Sequence, residues 1–160
     1  MALPEDGTRI PDFALKLATQ DGVQDFTLAA ALRQGPVVLA FFPLAFTGVC
    51  TRQMCDLRDD LARFEQAGAT VYGFSTDSPF ANVRFAKEQG LTHGILSDPN
   101  REVVEEIWDT QTVAGVHGVA KRGVLVLDTE GTVVWSWATD DPKQWIGTDE
   151  VRKALEPLVA

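Results

Sequence analysis

The chain has 160 residues, 45% hydrophobic, 23% charged and 9% aromatic, which suits one domain over 1–160 with a core of its own and excludes disordered, collagen-like and coiled-coil classes. Fourteen Lys and Arg against 23 Asp and Glu leave a formal charge of −9. That field repels a phosphate backbone, so nucleic acid is not an expected partner.

The longest apolar run, 37–46, is interrupted by Pro43 and is far shorter than the ~20 residues of a membrane-spanning helix, so no membrane partner is expected. The first residues, Met1-Ala2-Leu3-Pro4-Glu5-Asp6, carry neither a cationic start nor an apolar stretch. The expectation is therefore no signal peptide and a cytoplasmic protein. In a reducing compartment Cys50 and Cys55 do not form a permanent staple, so each is a candidate for chemistry.

In chain order, residues 12–17 alternate in polarity, Asp21-Gly22 supplies a turn, and 23–26 return, which predicts an N-terminal β-hairpin. Thr27 is a helix cap before 28–33, and Gly35-Pro36 ends that helix. The segment 37–42, Val-Val-Leu-Ala-Phe-Phe, has no polar alternation and reads as a central strand buried on both faces. Leu57, Leu61 and Phe64 then recur at helical spacing, predicting one helix over about 48–66 that ends at Gly68. A strand over 70–75, a helix from Ser78-Pro79, a short strand over 94–96 and a helix after Asp98-Pro99-Asn100 follow. Strands over 119–127 and 132–137 flank Thr129-Glu130-Gly131 as a hairpin, and 148–158 forms a closing helix. The expected class is α/β: a central mixed sheet flanked by helices, with an antiparallel hairpin at one edge. In such folds reactive groups collect beyond the C-terminal ends of the strands.

That rule singles out the loop 43–50, which leaves the central strand and opens the long helix with Cys50 in its first turn. Unpaired amides and the positive end of the helix dipole favour a thiolate there, and the thiolate is the nucleophilic form of cysteine. Pro43 stops the strand and removes a donor, and Thr47 places a hydroxyl three residues before Cys50, where it is expected near the sulfur. A cysteine set among apolar residues is ordinarily only a small buried hydrophobe. The neighbours Pro43, Thr47 and Cys50, in the pattern Pro-x-x-x-Thr-x-x-Cys after an apolar strand, argue for the reactive alternative.

This pattern resembles the active-site motif of the peroxiredoxins, and the likeness extends to Leu96-Ser97-Asp98-Pro99 and to the segment 122–128 followed by Glu130-Gly131. The resemblance implies a thioredoxin-like fold and reduction of hydrogen peroxide or organic hydroperoxides with no metal, flavin or haem. It implies that Cys50 attacks peroxide and becomes a sulfenic acid, and that Arg122 is a fixed cation holding the thiolate and the leaving oxygen. On local grounds alone Arg122 reads as a solvated strand residue. Residues 41–48, Phe-Phe-Pro-Leu-Ala-Phe-Thr-Gly, look most like the alkyl hydroperoxidase E group, whose best-known members work with one catalytic cysteine. Cys55 departs from that pattern and stands where many members of the bacterioferritin-comigratory, or Q-type, branch carry a resolving cysteine. The likeness further implies a thioredoxin-like protein or a low-molecular-weight thiol as reductant, and a homodimer for which Phe46, Phe80 and Trp108 are candidate contacts.

Helix geometry bears on the cysteine pair: five residues rise ~7.5 Å and turn ~140°, which sets the two Cα atoms ~8.6 Å apart. A disulfide usually needs ~6.8 Å or less, so a bridge requires the first turns to unwind. Metal is not expected, because His93 and His117 with Cys-x4-Cys on one helix lack the spacing of a structural zinc site. Trp108, Trp135, Trp137 and Trp145 fit core, edge or interface positions better than a base-stacking surface. Two other functions share the fold class, a thiol-disulfide oxidoreductase and a noncatalytic chaperone or interaction module. The first typically carries Cys-x-x-Cys and a facing cis-proline, neither of which this sequence offers.

Overall fold

In the computed structural model, which describes residues 3–158, the strand β3 (Val37–Phe41) is buried at every position, as its unbroken apolar run requires. Its residues divide between two cores. Val37, Leu39 and Phe41 face one, and Val38 and Ala40, followed by Phe42, face the other. Alternation of side chains across a strand makes β3 the partition of the molecule.

Around it lie β1 (Ala14–Thr19), β2 (Gly22–Thr27), β4 (Thr70–Ser75), β5 (Ile95–Ser97), β8 (Gly123–Leu127) and β9 (Val133–Ala138), in the order β2-β1-β5-β4-β3-β8-β9. The pairs β3/β4 and β4/β5 are parallel and the other neighbours antiparallel, so the sheet is mixed. The expected N-terminal hairpin is present, and β1 also joins the main sheet through β5. Antiparallel pairs thus occupy both edges, where the sequence predicted one.

One face of the sheet is covered by α1 (Leu28–Leu32) and α5 (Val104–Ile107), the other by α2 (Gly48–Asp59), α3 (Leu61–Gln66), α4 (Pro79–Gln89) and α6 (Thr148–Leu155). Local chemistry accounts for several starts. The hydroxyls of Thr27 and Ser78 accept the amides of Ala30 and Ala81, and Pro79 supplies a preset φ at the first position of α4. The buried Asp98 carboxylate accepts the amides of Glu102, Val103 and Val104, which anchors the turn into α5.

Two expected elements divide. The helix over 48–66 breaks at Asp60, which closes α2 and opens α3 with φ −99° and ψ 6°. The strand over 119–127 splits into β7 (Val116–Ala120) and β8, because β7 turns away to pair with β6 (Thr110–Val113) in a two-stranded sheet. The split leaves Lys121 and Arg122 in the connection between β7 and β8. Trp108 corrects another expectation. It is fully buried and its ring lies flat on Phe41, 4.3 Å between centroids and 5° between planes, so it has no surface to offer a partner. Phe46 and Phe80 are 50% and 77% exposed. Among the described residues no helix is long and apolar enough to cross a membrane.

Candidate active site

The site is assembled where β3 ends. Phe42 and the buried Pro43 close the strand, and the loop that follows turns on Phe46, which has φ +68°, a left-handed conformation costly for an aromatic residue. Two contacts hold that geometry. The Ala45 amide donates to Asp77 Oδ2 at 2.9 Å, and the Phe46 ring meets Phe85 edge-on at 5.2 Å. Thr47 then caps α2 with extended backbone dihedrals, which puts Cys50 at the third helical position. No acidic residue occupies this first turn, so nothing there opposes a negative sulfur. The Thr47 hydroxyl donates to the Leu44 carbonyl at 2.8 Å, an arrangement that braces the loop and leaves the oxygen at the surface.

Cys50 is 1% exposed, and its sulfur lies 2.9 Å from Nη2 of Arg122, a residue 72 positions further along the chain. Arg122 is equally buried, at 1%. Its remaining donors go to Gln53 Oε1 and, at 3.0 and 3.2 Å, to the Pro142 carbonyl. Each of these oxygens is neutral. Among the described residues no carboxylate is a hydrogen-bond partner of this buried cation, and the Cys50 sulfur is its one partner here that is not an oxygen. An uncompensated buried charge is strongly unfavourable, so the close contacts of the guanidinium matter to the whole site. Gln53 completes the arrangement from the other side: its amide nitrogen donates to the Phe41 carbonyl at 3.2 Å while its oxygen receives Arg122.

Trp108 acts behind Arg122. Its indole donates to the Lys121 carbonyl at 2.7 Å, and its ring occupies the space where a side chain at 123 would stand. A Cβ on Gly123 would come within 2.5 Å of that ring and 2.2 Å of the Trp137 carbonyl, so glycine is required next to the arginine. The Phe41–Trp108 stack therefore fixes both the end of β3 and the connection that carries Arg122.

Cys55, five residues further along α2 and turned about 140° away, has different surroundings. It is half-buried, and its thiol approaches Gln89 Oε1 at 3.7 Å. Both cysteines are free. Below this part of α2 lies His93, buried, with Nε2 3.5 Å from the Met54 sulfur and no hydrogen-bond partner for Nδ1. Burial, reinforced by the nearby Arg58 charge, lowers its pKa to about 4. His117 sits on β7 near the surface and meets Thr112 across the β6–β7 hairpin. Among the described residues no group of three or more His, Cys, Asp or Glu side chains is placed to hold a metal ion.

The profile of the AhpC/TSA family matches residues 7–136 of this chain. A Mycobacterium tuberculosis protein named as a peroxiredoxin is 37% identical over 132 residues, 80% of this chain and 81% of its own. The chain belongs to the peroxiredoxins of the AhpC/TSA family. The chloroplastic peroxiredoxin Q of Populus jackii is 36% identical over 155 residues, 95% of this chain and 68% of its own. The alkyl hydroperoxide reductase E of M. tuberculosis is 33% identical over 134 residues, 79% of this chain and 80% of its own. The crystal structure of the peroxidoxin BcpB from M. tuberculosis superposes with a TM-score of 0.84 at 28% identity, covering 97% of this chain and 98% of that one. This peroxiredoxin accordingly has the thioredoxin-like fold and is a thiol-dependent peroxidase related to both the Q-type and the hydroperoxidase E groups.

Of the residues singled out from the sequence, the fold brings Cys50 and Arg122 into contact, and sets Pro43 and Thr47 at the two ends of the loop between β3 and α2. It keeps Cys55 apart, on the far side of Met54. Two contributors went unnoticed. Gln53 was detectable as a polar residue on a stripe of α2 whose other buried members are Cys50, Met54 and Leu57. The Pro142 carbonyl left no trace, because a backbone oxygen gives no side-chain signal.

Proposed function

We propose that Cys50 is the peroxide-reducing nucleophile of this peroxidase, with Pro43, Thr47 and Arg122 shaping and polarising its surroundings and Cys55 resolving the oxidised form. The observation that carries the reading is the 2.9 Å approach of the Arg122 guanidinium to the Cys50 sulfur in a site where every other partner of the cation is neutral. The Cys50 thiolate attacks one peroxide oxygen, the O–O bond breaks, and the departing oxygen takes a proton to leave as water or, from an organic hydroperoxide, as an alcohol. Arg122 supplies fixed donors toward which that charge moves. The Thr47 hydroxyl spends its proton on Leu44 and keeps lone pairs free to accept a hydrogen bond from the incoming peroxide.

The Cys50 sulfenic acid is then attacked by Cys55, and the resulting disulfide is reduced by a thioredoxin-like protein or a low-molecular-weight thiol. Because both cysteines lie within α2, the bridge needs that helix to open. The protein works as one domain in a cytoplasmic homodimer, with the exposed Phe46 and Phe80 as candidate contacts beside the site. The deciding experiment is mass spectrometry of wild type and Cys55→Ser after one equivalent of hydrogen peroxide. An intramolecular 50–55 link in the first and a sulfenic acid at Cys50 in the second are expected. Peptide mapping that finds no link in oxidised wild type would assign resolution to an external thiol.

A further inference from the structure

Helix α2 is met, directly or through Arg122, by one segment, residues 142–148, which runs from the connection after β9 to the first residue of α6. At the Cys50 end the Pro142 carbonyl accepts Arg122 at 3.0 and 3.2 Å. One residue beyond Cys55, the indole N–H of Trp145 donates to Asp56 Oδ2 at 2.8 Å. At the end of the helix the Thr148 hydroxyl donates to Asp60. The Trp145 ring is itself seated edge-on against Trp137 of β9, 6.1 Å between centroids, so the donor is presented from a fixed platform on the sheet.

Bridging Cys50 to Cys55 pulls the carbonyls of residues 51–54 out of helical register. In an α-helix these carbonyls accept the amides of residues 55–58, so Asp56 loses its backbone anchor in the same event. A hydrogen bond from a fixed indole to the Asp56 carboxylate opposes that displacement. We infer that Trp145 is a positioning residue for the resolving step: through Asp56 it holds α2 closed after Cys50 has been oxidised and so sets how long the sulfenic acid waits for Cys55. The inference rests on the Cys50–Cys55 pairing proposed above.

In the gated step the Cys55 sulfur attacks the Cys50 sulfur, the S–O bond of the sulfenic acid breaks, and an S–S bond forms. The oxygen leaves as water with its own proton and the one from the Cys55 thiol. Cys50 is reduced as Cys55 is oxidised, so no further oxidant or reductant is required. A closed helix prolongs the sulfenic acid, and a second peroxide can then carry it to sulfinic acid. The Trp145–Asp56 bond thus sets the partition between the recyclable disulfide and the dead-end product.

The test uses the full-length protein and Trp145→Phe, which keeps an aromatic ring against Trp137 and removes only the donor. After rapid mixing with one equivalent of hydrogen peroxide, the rate of 50–55 disulfide formation should rise roughly tenfold, the size expected for losing one hydrogen bond to a carboxylate. Sulfenic acid formation should keep its wild-type rate, and the sulfinic acid yield under excess peroxide should fall. Asp56→Ala should reproduce these changes, and the double variant should add nothing to either. The fluorescence that Trp145 contributes, taken as wild type minus Trp145→Phe, should change as the bridge forms. A merely structural role would lower stability without accelerating resolution. A wild-type resolving rate, or a slower one, in both single variants overturns the inference while leaving the cysteine pairing intact. Absence of any 50–55 link in oxidised wild type overturns the pairing and this role together.

Discussion

The first turn and the middle of α2 carry the same functional group in opposite settings. At its first turn Cys50 is sealed, 1% exposed, against a buried guanidinium with neutral partners. Five residues on, Cys55 is half-buried beside Gln89, and the charges near it belong to exposed or partly exposed Asp56, Arg58 and Asp59. One helix thus presents one cysteine in contact with a buried cation and another beside a neutral amide. The difference between the two settings follows from which part of the helix meets Arg122.

Removing the sulfur at the sealed end should have the largest effect. Cys50→Ser is expected to abolish peroxide turnover with thiol reductants, and a variant that still consumes peroxide at the wild-type rate would break the assignment. Next in size, Arg122→Met should lower the second-order rate with hydrogen peroxide by about 10² to 10³ while Cys50 stays in place, since a lost transition-state donor commonly costs that much. Stopped-flow measurement under single-turnover conditions reads this directly, and an unchanged rate would remove Arg122 from the chemistry.

At Cys55 the expected change in peroxide reduction is small. Cys55→Ser should react with the first equivalent within about twofold of wild type, then accumulate oxidised Cys50 and depend on added thiol to recover. Hydrogen exchange sharpens the same contrast. Amides of 48–56 should lose protection on oxidation of wild type, those of 37–41 should keep theirs, and Cys55→Ser should show no such loss. If the two segments respond alike, the opening is global and the helix is not the moving part.

The smallest effect concerns His93, which lies beneath the middle of α2 and is neutral in the folded protein because burial lowers its pKa to about 4. An unfolded histidine titrates near 6.5, so the unfolded chain binds the extra proton first as pH falls. Stability is therefore lost progressively between about pH 6.5 and pH 4, by up to roughly 3 kcal/mol, and this group adds no further loss below that window. His93→Leu should flatten the acid side of the curve. Urea unfolding at pH 7.5 and pH 5 checks it: a wild-type minus variant difference that is the same at both pH values would show that His93 does not titrate on unfolding.

Much of the fold was legible because its rules are local. The unbroken apolar run of 37–41 announced a doubly covered strand, Thr27 and Ser78-Pro79 marked helix starts, and the turn at Asp21-Gly22 marked the hairpin. Leu57, Leu61 and Phe64 kept one helical stripe, yet the chain breaks between α2 and α3 at Asp60, whose side chain accepts the Thr148 hydroxyl from the start of α6. That partner lies 88 residues away and no window of sequence contains it. Trp108 was misplaced for a similar reason: a large ring at a helix end reads as available surface until Phe41 and Gly123 are seen to enclose it.

The sequence by itself determined that Cys50 opens a helix directly after a buried strand, because a strand, a proline and a capped first turn are all written within a dozen residues. Its unpaired amides and dipole follow from that position alone. Only the tertiary structure decided which charge faces the sulfur. The split between β7 and β8, the flat contact of Trp108 on Phe41 and the turn at Pro142 converge to bury Arg122 against Cys50, and the last two join residues 67 and 20 positions apart. Local periodicity records which face of an element is apolar. Whether a cation is solvated or buried depends on the partners that the rest of the chain brings to it, and for Arg122 those are a thiol, an amide and a backbone carbonyl.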